Sequence, residues 1–599
     1  MSRTRLLAAS AALLLALGAR AEEPKKDAPA PVDPKVEALI KEAVEKAKQD
    51  LRDELKVELQ GAQSAAEFLG TAAEGPKLEF FEIDGYLRTR ADLFDDFGLK
   101  RGLDANGVYL YPAPIDRPDS RSTLASANMR LRLEPTLNVS EHVRVRVQAD
   151  LLDNYVLGAT LPAQSQYLNT PAGGQSSGAS GTDRAVINLK RAWGEVETPL
   201  GLLSFGRMPT AWGLGIRLPV NDGLDDDWGH TVDRMQFATL PLTTPVGQLT
   251  FVPYLDFRSE GTLSADVRYG AGAGQPFDRD SGDDARTFGL RAVRLDTDAE
   301  LRRKLERGEA SLNYGAFYEY QTWASLYPSW LSSGFGDTTG NSTDPTKLVQ
   351  RKEYEHVLDL WFRYKTARFH LEAELSGQVG QIGNPTADPG YTGPQILVRQ
   401  LGGAARASYQ VSPNKFSMGL EIGVASGDRA PGFGNRPNQL DVTDPTNPKQ
   451  PSYGALEGPQ FGRYTHNGKT IDDRDIRNFR FDPGYRVDLI LWREILGQVT
   501  DAMYFRPSIR WDIVSGLAFD AAVIYSQAIY STSTPSASET GNGTSPLGLE
   551  LDTKLSYTGD DGFSGWLQYG LLQPLDGFSG TGVSLGRAHA VRAGLAIRF

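Results

Sequence analysis

The stretch MRLRLEPTLNVSEHVRVRVQADL, Met129–Leu151, decides the fold. Met129, Leu131, Leu133, Leu137 and Val139 alternate with Arg130, Arg132, Glu134, Thr136 and Asn138. After a turn at Ser140–Glu141, Val143, Val145, Val147 and Leu151 alternate with Arg144, Arg146, Gln148 and Asp150. Successive side chains of a strand point to opposite faces, so period two on both sides of a short turn predicts two antiparallel strands. One face is apolar and the other carries full charges. Strands that face lipid on one side and an aqueous interior on the other, as in a closed membrane barrel, carry this pattern.

The same unit recurs outward from this hairpin. In LEFFEIDGYLRTR, Phe81, Ile83 and Leu87 share one face, and Glu82, Asp84, Tyr86, Arg88 and Arg90 the other. Tight turns fall at Thr198–Gly201, Lys365–Ala367, Ser412–Lys415, Ser515–Gly516 and Gly559–Gly562. Long stretches rich in Gly, Asp, Asn, Ser and Pro fall between them, at 153–184, 258–284, 324–352 and 427–476. Short turns alternating with long loops match the periplasmic and extracellular ends of such a barrel. One segment, YRVDLILWREIL at 485–496, is ambiguous. As a strand it would make the total odd, and Val487, Ile490, Leu491 and Ile495 fit helical spacing. It is therefore predicted as a helix within one large extracellular loop, about 427–499. The fold class is then all-β: a transmembrane antiparallel barrel of about eighteen strands (sixteen being the alternative), with both termini in the periplasm.

The last strand reads AHAVRAGLAIRF, with Val591, Ala593, Leu595, Ile597 and Phe599 on one face. A barrel must pair its last strand with its first so that no edge remains, and an aromatic belongs at the interface. This ending resembles the C-terminal signal of outer-membrane barrels, which implies the barrel-assembly machinery as a partner. Membrane lipid and lipopolysaccharide follow as the expected surroundings.

The N-terminus carries its own signals. Residues 1–21 join Arg3 and Arg5 to an apolar run, Leu6–Leu17, and to Ala19-Arg20-Ala21, which predicts a signal peptide. Residues 22–34 form a proline-rich linker. Residues 35–76 comprise a periplasmic helix and a further linker. Within 35–60 a narrow stripe of Val36, Ile40, Val44, Ala47, Leu51, Leu55 and Leu59 either docks on the body or pairs with copies of itself as a coiled coil, making a homo-oligomer such as a trimer. The barrel occupies 77–599.

Composition removes several function classes. The chain of 599 residues has a net charge of −12 and no basic tail, which argues against nucleic acid. It lacks cysteine, so lipid anchoring, disulfides and thiolate metal sites are excluded. No run after the first twenty residues is long enough for a membrane helix. The stretch between residues 21 and 77 is too short for the globular plug of an energised importer. No catalytic motif stands out. His370 alternates with Glu372 and Glu374, which reads as a hydrogen-bonded polar lumen and not as an enzyme site. No cofactor is expected. Asp278, Asp280, Asp283 and Asp284 offer carboxylates to Ca²⁺ in an outer loop, but the distal bidentate Glu of an EF-hand loop is missing, which favours a solvated acidic loop.

Residues 192–208, AWGEVETPLGLLSFGRM, resemble the general porin pattern in which a short turn leads to a strand ending in Gly-Arg. The resemblance implies a diffusion channel whose third long loop, here 208–231, folds into the barrel as a constriction. That loop carries Asp222, Asp225, Asp226 and Asp227, while Arg88, Arg90, Arg130, Arg132, Arg144 and Arg146 line the polar face of the first three strands. Porin constrictions set loop acids against a basic ladder on the opposite wall, and the field across the gap filters ions. The other reading pairs these arginines with lumen acids such as Glu82, Asp84, Glu134 and Asp150. The N-terminal helix is similar to that of phosphate-selective porins, and the strand count to alginate-export and substrate-specific porins. The segments EIDGYLRTRADLFDDFGL and LELDTKLSYTGDDGFSGWLQYG resemble an outer-membrane barrel family of myxobacteria and relatives. The expected function is passive diffusion of small hydrophilic solutes or ions; a structural, adhesive or polysaccharide-export barrel is the alternative.

Overall fold

The computed structural model describes residues 80–101, 122–157, 187–259 except 228, 285–323, 326–328, 348–384 except 351, 390–428, 462–536 except 467–468, and 543–599 except 581. The N-terminal segments and the Asp278–Asp284 cluster lie outside these residues. Eighteen strands form the barrel. In chain order they are β1 (Phe81–Asp95), β2 (Thr123–Ser140), β3 (Val143–Val156), β4 (Ile187–Thr198), β5 (Gly201–Pro209) and β6 (Thr231–Thr239, continued by Leu242–Thr244). There follow β7 (Gly247–Ser259), β8 (Ala285–Arg294), β9 (Ser311–Trp323), β10 (Glu353–Lys365), β11 (Phe369–Ile382) and β12 (Ile396–Ser412). The last six are β13 (Phe416–Ala425), β14 (Ala502–Val514), β15 (Leu517–Ala528), β16 (Pro546–Thr558), β17 (Phe563–Pro574) and β18 (Ala588–Arg598). Each pairs antiparallel with the next, and β1 closes the ring on β18 from Tyr86↔Arg598 to Asp95↔His589. The total is eighteen, not sixteen.

The faces fall as the alternation requires. Val145, Leu290, Leu358, Leu375, Leu551 and Leu595 stand exposed on the outside, whereas Arg88, Arg130, Arg132 and Arg144 are buried within. Exposed aromatics gather near both ends of the outer surface: Phe81, Tyr409, Trp511, Tyr557 and Phe599 beside the short turns, and Phe257, Phe288, Tyr318 and Tyr569 towards the long connections. Two aromatic girdles around an apolar band are what a bilayer demands of a barrel. The turn at Ser515–Gly516 is two residues long, and Gly516 adopts φ +79°, which its missing side chain permits.

Phe599 completes the closure. Its backbone exchanges hydrogen bonds with Gly85 (3.0 and 3.1 Å), and its ring lies over the space where a Gly85 Cβ would stand. The ring thereby covers a glycine that offers no packing surface of its own. Phe599→Ala is expected to lower the temperature at which the folded barrel loses its gel mobility and to reduce the membrane-inserted yield. Wild-type values on both counts would remove this role.

One sequence expectation is corrected, and one helix was not foreseen. Residues 485–496 are not a regular helix: only Leu491–Ile495 winds, as one π-type turn, and the segment lies inside the barrel. The backbone N–H groups of Leu489–Arg493 are taken by carboxylates, of Glu550 on the wall and of Asp488 within the segment, and only those of Glu494–Leu496 by carbonyls one turn back. The connection between β8 and β9 carries a helix, α1 (Asp298–Glu306), that the alternation does not reveal. Its signal is local, a capping box in which Thr297 accepts from Glu300 N and the Glu300 side chain accepts from Thr297 N.

Candidate functional site: the barrel lumen

The lumen is built from one wall and two inner segments. On the wall, Arg88 of β1 stands directly opposite Arg130 of β2, and Tyr86 opposite Arg132. Like charges in register repel, so such a wall needs anions pressed against it. A bulge in β3, with Leu152 and Asn154 at positive φ (56° and 49°), breaks the period of two. Asp150 and Asp153, three residues apart, thereby both reach Arg130, at 3.7 and 2.8 Å.

The remaining anions come from the third long connection, residues 210–230, here loop 3. Arg90 Nη2 donates to Asp227 Oδ1 (2.6 Å) and its Nη1 to the Asp225 carbonyl (3.0 Å). Arg88 Nη1 donates to the carbonyls of Leu224 (2.9 Å) and Asp226 (3.0 Å), and Arg130 Nη1 to that of Asp226 (2.9 Å). Arg132 and Arg191 share Asp222, at 3.2 and 2.9 Å. Guanidinium groups thus hold both the side chains and the backbone of an irregular segment inside a membrane barrel, where unsatisfied carbonyls are costly.

Loop 3 also crosses the lumen. Trp212 packs edge-on against Phe317 of β9 and Trp361 of β10, and its Nε1 donates to Asp359 Oδ1 (2.8 Å). Glu374 of β11 accepts from Gly215 N at 2.8 Å. Strands β1 and β10 stand nine positions apart in a ring of eighteen and so face each other. The loop is anchored on both walls.

The second inner segment, residues 477–499, lines the side of the lumen formed by β12–β18. Phe479, Phe481, Val487, Ile490, Leu491 and Trp492 are buried against Tyr504, Ile524, Leu547 and Leu572. Glu550 of β16 accepts from the backbone N–H of Leu489 (3.0 Å), Ile490 (2.8 Å) and Leu491 (3.0 Å). Asp488 accepts from Trp492 N (2.9 Å) and Arg493 N (3.1 Å). From this segment Arg486 reaches Asp227 Oδ2 (3.1 Å) and the Asp225 carbonyl (2.7 Å), and Arg493 reaches Asp225 Oδ2 (3.1 Å). The acidic tip of loop 3 is therefore clamped between the arginine wall and the inner segment.

Two carboxyls respond oppositely to this burial. Burial alone would raise Asp225, but the charges of Arg493, Arg486 and Arg90 hold it well below the usual carboxylate range. A depressed carboxyl contributes stability above its unfolded pKa, near 3.9, and loses it only as pH falls through the lower folded value. Burial, with the neighbouring Asp552 charge, pushes Asp488 up to about 8. Its contribution is greatest below its unfolded pKa and is lost as pH rises through 8. Amide exchange across 488–493 is expected to quicken between pH 6 and pH 9, beyond the intrinsic base-catalysed change, while the 222–227 tip keeps its protection. Equal changes in both would contradict this assignment.

Six arginines and four aspartates were singled out in the sequence. Arg88, Arg90, Arg130 and Arg132 come together with Asp222, Asp225, Asp226 and Asp227, but by direct contact and not across an open gap. The reason is that the loop tip lies on the basic wall itself. Arg144 and Arg146 lie nearer the short-turn end and pair with Glu197 and Glu195. Arg486, Arg493 and Arg191 were missed. The arginines of YRVDLILWREIL carried a signal, because cations in an otherwise apolar inner stretch require acidic partners. His370 lies 3.5 Å from Glu372, while Glu374 is spent on Gly215.

Cavities remain on either side of the clamp. At the long-connection end about 760 Å³ is bordered by Lys190, Arg217, Arg258, Glu319, Arg480 and Asp482, among others. At the short-turn end about 460 Å³ is bordered by Asp225, Arg486, Arg493, Arg506, Arg510 and Lys554, among others. His230 of loop 3 meets Asp482 of the inner segment at 2.6 Å beside the larger cavity.

No protein-family model and no curated protein sequence matches this chain. Among solved structures, a BenF-like porin from Pseudomonas fluorescens matches with 10% identity over 87% of this chain and 99% of that one, TM-score 0.42. OccK8 (OprE) from Pseudomonas aeruginosa matches with 12% identity over 88% and 99%, TM-score 0.40. OmpT, an outer-membrane protein of Vibrio cholerae, matches with 9% identity over 88% and 100%, TM-score 0.31.

Proposed function

We propose that this porin-type barrel lies in the outer membrane, its short turns and termini in the periplasm, and passes small hydrophilic solutes or ions by diffusion. The observation that carries this reading is the folding of loop 3 and residues 477–499 into the lumen, with polar, charge-lined cavities at both ends. A barrel that served only as a scaffold gains nothing from two inner segments held in its lumen by guanidinium clamps. Lumen charges set against a narrowed path select among solutes. Phe599 and the apolar stripe before it are the features the assembly machinery would read, and the stretch 35–60 is where copies of the chain would associate into a trimer.

Planar-bilayer recording of the refolded chain tests the reading. Stepwise openings in 1 M KCl are expected. A correctly folded barrel that inserts and carries no current would overturn the channel and leave a structural or adhesive barrel.

A further inference from the structure

Three of the four wall arginines nearest the loop tip, Arg90, Arg130 and Arg132, have their charges met by carboxylates on contact. Arg88, the fourth, donates to the neutral carbonyls of Leu224 and Asp226 and to Asn128, but it is fully buried beneath loop 3 and does not border the larger cavity. The charge met by a solute in the larger cavity must come from groups without such partners. Lys190 lies on Asp150 and Asp153, Arg207 on Asp233, and Arg234 on Asp256. Among the described residues, no carboxylate lies within ion-pair distance of Arg217, Arg258 or Arg480. Arg217 Nη1 donates to the neutral Gln378 (2.5 Å), and Arg258 Nη1 to the neutral Gln321 (2.6 Å).

Arg217 is distinguished from the other two by what it faces. It sits on loop 3 where the loop crosses to β9–β11, beside Ile216, which is fully buried. It borders the same cavity as Glu319, and its charge acts on Glu319, Glu355 and Asp359, acids of the wall opposite the arginines, whereas that of Arg258 acts on Glu355. Glu319 is itself held by Tyr254 Oη (2.5 Å) and Gln321 Nε2 (2.8 Å), so it cannot swing away to meet another cation.

We infer that Arg217 is the residue that sets the charge selectivity of the lumen, by standing as the unneutralised cation over an acidic strip of the β9–β10 wall. The inference rests on the channel reading for its meaning, but it is a statement about the electrostatic potential in one cavity. Removing the guanidinium shifts that potential in one direction whatever the protonation of the strip. Ionised acids would be unmasked, and neutral acids would be left without the cation beside them. In both cases anions are disfavoured and cations favoured.

The chain has no cysteine, so a single reporter thiol gives a clean readout of this potential. Asn188 lines the same cavity and shares the inward face of Asp150, its cross-strand partner. With Asn188→Cys as reporter, the rates of modification by an anionic and a cationic methanethiosulfonate are compared. Arg217→Gln is expected to lower the anion-to-cation rate ratio by about twofold at physiological salt, the change due to removing one charge about a Debye length away in water. Arg217→Lys is expected to keep the parent ratio, which a merely structural role for the planar guanidinium would not allow. Gel mobility before and after heating verifies that each variant is folded. A ratio within experimental error of the parent in folded Arg217→Gln overturns the inference. Because labelling needs no current, a barrel that shows the shift and yet does not conduct refutes the channel and upholds Arg217; in a conducting barrel the reversal potential must move towards cation preference as well.

Discussion

Replacing Asp225 and Asp227 together by asparagine is expected to unseat the tip of loop 3, raising amide exchange across 222–227 by at least a hundredfold. Three cations depend on these two carboxylates: Arg90 and Arg486 on Asp227, and Arg493 on Asp225. Asparagine matches the shape and keeps one acceptor but supplies no charge. Leaving a buried cation without its partner costs roughly 3–5 kcal/mol for each pair broken. The bonds that persist, from arginines to the carbonyls of residues 224–227, are individually weaker than the ion pairs lost. A tip already held by its apolar base at Trp212 would not respond this way. Exchange at wild-type rates in the double variant would therefore locate the anchor at Trp212 and not at the clamp.

Glu550→Ala is expected to have the next largest effect, and on the other inner segment. One carboxylate accepts from three consecutive backbone N–H groups, Leu489, Ile490 and Leu491. Asp552 takes a second bond only from Leu489, at 3.1 Å. Alanine leaves Ile490 and Leu491 as buried donors with no acceptor, at about 1–3 kcal/mol apiece. The apolar packing of Trp492 and its neighbours resists complete expulsion, since each large buried side chain contributes about 1.5–3 kcal/mol. The expected outcome is a segment that stays in the barrel but loses its fixed path. Exchange at 489–491 should rise at least tenfold, and the emission of Trp492 should move to the red as its bond to Ser526 (2.9 Å) loosens. Glu550→Gln, retaining one acceptor oxygen, should fall between the two. Unchanged exchange in Glu550→Ala would show that packing alone sets the path.

The barrel was legible because its rule is local. Every second residue faces lipid, so Val145 and Leu595 on the outside and Arg130 and Arg132 on the inside follow from period two alone. The loop acids and the wall arginines were also legible as ingredients. Their arrangement was not, because the distance from Arg90 to Asp227 depends on a loop path that crosses from β5 to β10 and back, and no periodicity encodes that path. The inner segment misled for a physical reason. Its apolar residues bury against three sides of a lumen, which scatters them at spacings that mimic a helix, and its amides are satisfied by Glu550 and Asp488, far away and four residues away respectively. The bulge that brings Asp153 inward likewise departs from alternation, and only the positive φ of Leu152 and Asn154 discloses it.

Loop 3, clamped between the arginine wall and residues 477–499, is what narrows the lumen. Unitary conductance of the full chain, compared with Asp225→Asn/Asp227→Asn in the same bilayer and salt, tests this most directly. Small steps in the wild type and steps at least twice as large in the variant are the expected result. Equal step sizes, with the variant folded and its loop shown by exchange to be free, would contradict the claim.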